Sequence, residues 1–222
     1  KEPDKILIVS FSSNKGLCGA FNTNISKKVI DLIHHKYPEQ YKSGDLDLIT
    51  IGKKAREILK TKRITESSSF DHLFDNINYH DISLTAETIM QNFVKGKYDR
   101  IDLVYNQFKN AAVQEVTSEQ FLPVKISTGA EENNVTDYIF EPTKKYIITE
   151  LIPKSLKIQF YKAMLDSFAA EQGARMTAMH IATDNATEMI KDLNLQYNKA
   201  RQASITNEIM EIVSGANALK QG

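Results

Sequence analysis

The sequence predicts an α/β domain followed by one very long helix. Short apolar runs alternate with helical patterns over residues 1–153, which is typical of a Rossmann-like sheet with flanking helices. From about Ser155 to Leu219 the chain has no proline and only two glycines, Gly173 and Gly215, so nothing there stops a helix. We therefore expect an α/β domain at residues 1–153 and a helix at residues 154–222.

Strands are predicted where apolar runs are bounded by charged or turn-forming residues. The clearest is Lys5 to Phe11 (KILIVSF), whose continuous apolar character is typical of a strand buried on both faces. Further strands are predicted at Leu46 to Ile51, Arg100 to Phe108 and Val113 to Ile126.

Helices are predicted between these strands from apolar residues at helical spacing. The first has Ile25, Val29, Leu32 and Ile33 on one face, and Pro38 is expected to close it. Pro153 stands where proline suits the start of the long helix. The other helices are predicted at Lys53 to Lys60, Asp81 to Lys95 and Lys144 to Ile152, while Ser127 to Thr136 is predicted to be an acidic loop.

The long helix carries an apolar seam with alternating steps of three and four, in which Thr183 fills one gap. This spacing predicts a coiled coil. At 1.5 Å per residue the helix would be on the order of 95 Å long, so we expect it to project and to need a partner along the seam. The seam residues are Met176, Met179, Ala186, Ile190, Leu193, Tyr197 and Ala200; the stripe then shifts by one residue and resumes as Ile205, Ile209, Ile212, Ala216 and Leu219.

The composition favours protein partners. Lysine and arginine (28) balance aspartate and glutamate (28), so no broad basic field is expected to attract nucleic acid or anionic lipid. A single cysteine, Cys18, excludes an internal disulfide, and no spacing of cysteine and histidine supports a zinc site. The longest aliphatic run, Ile6 to Val9, is too short to cross a bilayer. We expect no metal, no cofactor and no direct membrane insertion.

Each candidate for chemistry has a simpler structural interpretation that we prefer. The loop Ser13 to Gly19 fits neither phosphate-loop pattern, so a tight turn is favoured over nucleotide binding. Cys18 has no histidine tied to it by a motif, which favours a buried structural cysteine over a nucleophile. The neighbouring histidines His34 and His35 would point about 100° apart on a helix and cannot both hold one metal. The carboxylate pairs Asp71 with Asp75 and Glu208 with Glu211 are more typical of solvated or partner-facing charges than of an acid and base.

A polar group interrupts the long helix where the apolar stripe shifts. It consists of Arg201, Gln202, Thr206 and Glu208. It is either the solvated face of a coiled coil or a docking patch, in which arginine and glutamine bind a partner's carboxylates and carbonyls.

The segment that contains this polar group also resembles part of a known family. The segment ITNEIMEIVSGANA, Ile205 to Ala218, resembles the C-terminal signature of the gamma subunit of F-type ATP synthases. The resemblance extends through LQYNKARQAS, EQGARMTAMHIATDNAT, YIFEP and SSNKGLCGAFN, and so covers essentially the whole chain.

The resemblance implies a non-catalytic central-stalk subunit that couples rotation of the membrane c-ring, driven by proton or sodium flow, to ATP synthesis on the beta subunits. It implies alpha and beta subunits, an epsilon-type subunit and the c-ring as partners. Arg201, Gln202, Thr206 and Glu208 would meet the beta subunit's acidic catch loop. The bearing tip would comprise Ile209, Ile212, Ala216 and Leu219, and the foot contacts Tyr138, Phe140 and Glu141.

Family members open with a long helix that packs antiparallel against the C-terminal one, and nothing of that kind precedes Lys1. Either that helix is missing from this sequence, or the protein is a shorter form whose helix pairs elsewhere. The expected location is the cytoplasmic face of a bacterial plasma membrane, with the matrix face of the mitochondrial inner membrane as the alternative. A nucleotide-binding α/β enzyme and a free-standing coiled-coil scaffold remain alternative functions.

Overall fold

A five-stranded sheet, in the order β3-β2-β1-β4-β5, forms the centre of the α/β part of the chain. The computed structural model describes residues 3–124, 141 and 143–221. β1 pairs in parallel with β2 and β4, β2 pairs in parallel with β3, and β5 is antiparallel to β4. This topology confirms the predicted Rossmann-like sheet. The strands are β1 (Ile6–Phe11), β2 (Leu46–Ile51), β3 (Ser68–Ser69), β4 (Arg100–Phe108) and β5 (Gln114–Leu122).

Helices cover both faces of this sheet. The central strand β1 is fully buried: Ile6 and Ile8 point into a core with α1 and α3, while Leu7 and Val9 point into a core with α4 and α6. Burial on both faces explains why this strand is a continuous apolar run. The helices are α1 (Phe21–Asp31), α2 (Pro38–Ser43), α3 (Lys53–Thr61), α4 (Tyr79–Val94), α5 (Lys144–Tyr146) and α6 (Ile152–Gln221).

Three local features were not predicted from the sequence. Pro38 ends the first helical segment, after a π-helical turn at Leu32–Lys36, but it also begins α2, because proline is tolerated at the first position of a helix. The two-residue strand β3 and the 3₁₀ turn Asp71–Phe74 lie in a stretch that carried no clear prediction. A π-helical turn at Ile147–Leu151 joins α5 to α6, so no break separates them.

The contacts divide the chain into two units, Lys1–Ala178 and Met179–Gly222. The first unit contains the sheet and the first turns of α6. There the buried Phe160 lies against Phe11 and Phe121, with ring centroids 5.3 and 5.8 Å away. The second unit consists of the rest of α6, and every residue from 179 to 217 is exposed. The domain boundary predicted after residue 153 remains a prediction.

Candidate partner-binding surface

The second unit is a helix in which three threonine side chains bond to the backbone of the helix itself. Thr183, Thr187 and Thr206 each donate a hydrogen bond to the carbonyl four residues earlier, at 2.9 Å. Such bonds satisfy threonine hydroxyls within a helix. The helix therefore presents its side chains outward, as a surface that binds partners must do.

An apolar stripe runs along the C-terminal part of this surface. At 100° per residue, Ile205, Ile209 and Ile212 fall within a sector of roughly 60°, and Ala216 lies inside it. All three isoleucines are exposed, Ile212 to 71%. Burying one such side chain in an apolar environment contributes about 1.5–3 kcal/mol, so this stripe can contribute substantial binding energy once it is covered.

Polar side chains flank the stripe on both sides. On the same helical wheel, Arg201 and Glu208 lie along one edge of the stripe, and Gln202 and Thr206 lie along the other. Among the described residues no ion pair involves Arg201 or Glu208. This arrangement, an apolar centre with charged and amide groups at the edges, resembles the anatomy of protein interfaces. It supports the docking interpretation, although the individual contacts stay predictions.

The seam upstream faces a different direction. Its members centre about a quarter turn from the second stripe on the helical wheel. They are exposed as well: Ile190 to 59%, Leu193 to 56% and Tyr197 to 66%. The helix therefore offers two apolar faces in succession, and the coiled-coil pairing of the first remains a prediction.

Of the three predicted foot residues, only Glu141 is described, and it is exposed. Tyr138 and Phe140 lie outside the described residues.

The loop that invited a phosphate-binding interpretation is closed by its own hydrogen bonds. The backbone N–H of Ser13 donates to Oδ1 of Asn22 at 3.0 Å, and Nδ2 of Asn22 approaches Sγ of Cys18 at 3.1 Å. Cys18 is buried against Phe21 and Ala170. The prediction of a buried structural cysteine is confirmed.

Three of the other candidates for chemistry, Asp71, Asp75 and His35, have structural partners. Asp71 accepts a hydrogen bond from Arg56 at 2.6 Å, and Asp75 accepts one from Asn14 at 2.9 Å. His35 lies 3.0 Å from Asp31. Within the part of the chain that the structure describes, no three His, Cys, Asp or Glu side chains are grouped as a metal site would require.

One buried charge cluster escaped the sequence analysis. The carboxylate of Asp102 in β4 is fully buried and accepts hydrogen bonds from Lys36 Nζ (2.8 Å), Tyr37 Oη (2.6 Å) and Arg100 Nε (3.0 Å). Burial, together with the hydrogen bond to Asp102, raises the pKa of the Tyr37 hydroxyl well above its ordinary value of 10. The signal in the sequence was an aspartate inside the apolar strand RIDLVYNQF. The cluster fastens the π-helical turn after α1 to the sheet.

Comparison with known proteins decides the family. A family model described as ATP synthase matches residues 1–219. The gamma chain of Christiangramia forsetii ATP synthase is 56% identical over 219 residues, which cover 99% of this chain and 74% of the relative. The chain belongs to the ATP synthase gamma-chain family. The gamma chain of Flavobacterium psychrophilum is 51% identical over 99% of this chain and 75% of the relative.

Solved structures agree with this assignment. The central stalk of Tetrahymena thermophila mitochondrial ATP synthase, solved with its c-ring, matches with a TM-score of 0.60 and 25% identity, over 82% of this chain and 78% of that one. A chain of the Euglena gracilis mitochondrial enzyme has the same fold, with a TM-score of 0.71 and 19% identity over 98% of this chain and 74% of that one. The chain is thus a central-stalk subunit of a membrane-associated rotary ATPase. Over the described residues, no helix combines the length and apolar character needed to span a bilayer.

Proposed function

We propose that the chain is the non-catalytic shaft of a rotary ATP synthase and that the exposed stretch of α6 is its working surface. ATP is made or hydrolysed on the beta subunits, and the chain transmits the angle of the membrane c-ring to them. The observation that carries the proposal is the exposed second unit, in which an apolar stripe and two polar edges share one helix. Family membership supplies the context.

The asymmetry of this surface supports the coupling mechanism. Three beta subunits around one helix cannot make equal contacts with a surface that has an apolar stripe on one side only. A ligand or partner shifts an equilibrium only by its differential contact energy, and such unequal contacts supply that difference. Each beta subunit therefore has a different nucleotide affinity at a given angle of the shaft, and rotation exchanges these affinities.

The partners follow from the same proposal. Arg201, Gln202, Thr206 and Glu208 dock on the acidic catch loop of a beta subunit. The tip, formed by Ile209, Ile212, Ala216 and Leu219, turns in an apolar bearing made by the alpha and beta subunits. The α/β unit lies at the foot, where Tyr138, Phe140 and Glu141 meet the epsilon-type subunit and the c-ring. We place the complex on the cytoplasmic face of a bacterial plasma membrane, in line with the bacterial relatives.

The docking role is tested by replacing Arg201 and Gln202 together with alanine in the reconstituted enzyme. We expect ATP synthesis driven by a proton gradient to fall at least tenfold, because removing hydrogen bonds to charged groups costs about 1.5–3 kcal/mol each. The pair Asn194→Ala and Lys199→Ala is a matched control outside the docking patch and the seam. Unchanged synthesis and assembly in the Arg201 and Gln202 variant would remove the docking role.

A further inference from the structure

The turn between β4 and β5 touches α6 at an unusually close approach. Gly173 of α6 is buried, and a Cβ at this position would lie 3.2 Å from the Cα of Ala111 and 3.2 Å from the ring of Phe108. Few real Cβ atoms come so near a backbone atom. The backbone of the turn therefore packs directly on the backbone of the helix, and the absence of a side chain at Gly173 makes this possible.

A hydrogen bond holds the same turn one helical step further along. Thr177 lies four residues after Gly173, on the same side of the helix. Its Oγ1 lies 3.0 Å from the carbonyl oxygen of Ala111 and 3.1 Å from that of Gly173, so its hydroxyl donates a bond shared between the turn and its own helix. The turn is itself held in shape by Asn110, whose Oδ1 accepts from the backbone N–H groups of Ala112 and Val113 at 3.0 and 2.8 Å. The contact is therefore made by an ordered hairpin.

The opposite flank of the helix is held by the end of β1 and by the loop that follows it. Ser167 Oγ lies 3.4 Å from the carbonyl oxygen of Phe11, and Arg175 reaches the carbonyl oxygen of Gly16 at 3.4 Å while pairing with Glu171 at 2.6 Å. Glu171 and Arg175 lie roughly 160° around the helix from Gly173 and Thr177. Contacts on one side alone would let the helix turn about its own axis. Contacts on two flanks resist such turning.

We infer that the hairpin Lys109–Val113 is a brace that grips α6 at Gly173 and Thr177, so that the sheet and this helix turn as one body under load. The mechanical part of this inference rests on the proposed rotor function. A shaft transmits torque from its foot only if the foot cannot slip on the helix. The brace lies within the first unit, just before Ala178, where α6 passes into the exposed surface.

The grip is tested with Thr177→Val in the assembled enzyme. The control is Thr187→Val, because the hydroxyl of Thr187 bonds only to a carbonyl of its own helix. We expect hydrogen exchange at the amides of Lys109, Asn110 and Val113 to rise about fivefold in Thr177→Val, the factor that corresponds to one ordinary hydrogen bond. Thr187→Val should leave it unchanged. Unchanged exchange in Thr177→Val would overturn the brace.

A second set of three variants tests the close approach between Gly173 and the turn. Alanine is a better helix former than glycine, so Gly173→Ala and Gly215→Ala both favour the helix, but within this chain a Cβ at Gly215 meets nothing within 4 Å. We expect Gly173→Ala to raise hydrogen exchange at the hairpin and Gly215→Ala to leave that exchange unchanged. The ratio of proton pumping to ATP hydrolysis in inverted vesicles should fall at least twofold in Gly173→Val and less in Gly173→Ala. Faster exchange at the hairpin with an unchanged ratio would overturn the mechanical role. Failure of the unaltered chain to pump would overturn the proposed rotor function, while hydrogen exchange would still decide whether the hairpin grips the helix.

Discussion

The buried carboxylate of Asp102 gives the sharpest prediction about stability. Its two cations, Lys36 and Arg100, reach it from the end of the π-helical turn and from β4 itself. We propose to replace both cations with methionine, which has a similar length and packs adaptably. The carboxylate would then remain in the core with only the hydroxyl of Tyr37 as a partner.

The size of the expected loss of stability follows from how deeply the carboxylate and its two cations are buried. Asp102 is fully buried, whereas the side chains of Lys36 and Arg100 are 40% and 22% exposed. The penalty therefore falls on the stranded carboxylate, and breaking a buried pair in this way costs about 3–5 kcal/mol. That is a large share of the 5–15 kcal/mol by which a typical domain is stable. Adding Asp102→Asn to the double variant removes the charge and should recover most of the loss.

Urea unfolding followed by tyrosine fluorescence measures this loss, since the chain has no tryptophan. The matched control replaces Lys28 and Lys54 with methionine, because their partners Asp31 and Glu57 are exposed and exposed pairs contribute about 0–1 kcal/mol each. A loss below about 1 kcal/mol in the double variant, or a further loss on adding Asp102→Asn, would refute the reasoning.

Two further predictions concern the α/β unit. The pKa of Tyr37 is raised in the folded chain, so the unfolded chain loses this proton first. Stability is therefore complete below pH 10 and falls above it by up to about 1.4 kcal/mol per pH unit. In urea unfolding at pH 9 to 11, Tyr37→Phe should reduce this slope, and an unchanged slope would contradict the assignment. Gly52→Ala should cost more than about 2 kcal/mol, because Gly52 has φ +101° and a Cβ there would overlap the carbonyl oxygen of Ser12. Gly96→Ala, with φ +72° and open space, should cost less. Thermal unfolding of both variants measures the two costs, and equal costs would show that the overlap is unimportant.

The fold was predictable where burial leaves a simple pattern. β2 and β4 have the predicted bounds, and β1 differs by one residue, because buried strands are largely apolar runs bounded by charged or turn-forming residues. The two-residue β3 could not be predicted, since Ser68 and Ser69 are exposed and their pairing is set by the position of β2. The start of α2 was missed because proline was interpreted only as the end of a helix.

The apolar stripe and its polar edges could be placed on the helix for a different reason, while their binding role stays a prediction. An exposed helix has no tertiary contacts that override its sequence, so the apolar stripe and its polar edges can be placed from spacing alone. The Asp102 cluster and the brace at Gly173 could not be found in this way. Both depend on residues far apart in sequence, such as Ala111 and Thr177, which only the folded chain brings together.

Rotation of the α/β unit tests the central claim most directly. The enzyme would be immobilised through its alpha and beta subunits, with a bead attached to a cysteine introduced at the exposed Lys42, after Cys18→Ser has removed the native thiol. Our account predicts that ATP drives the bead in one direction in repeated steps. It also predicts that Arg201→Ala with Gln202→Ala weakens this rotation more than the Asn194 and Lys199 control. An enzyme that hydrolyses ATP and assembles fully while the bead stays still would contradict the account.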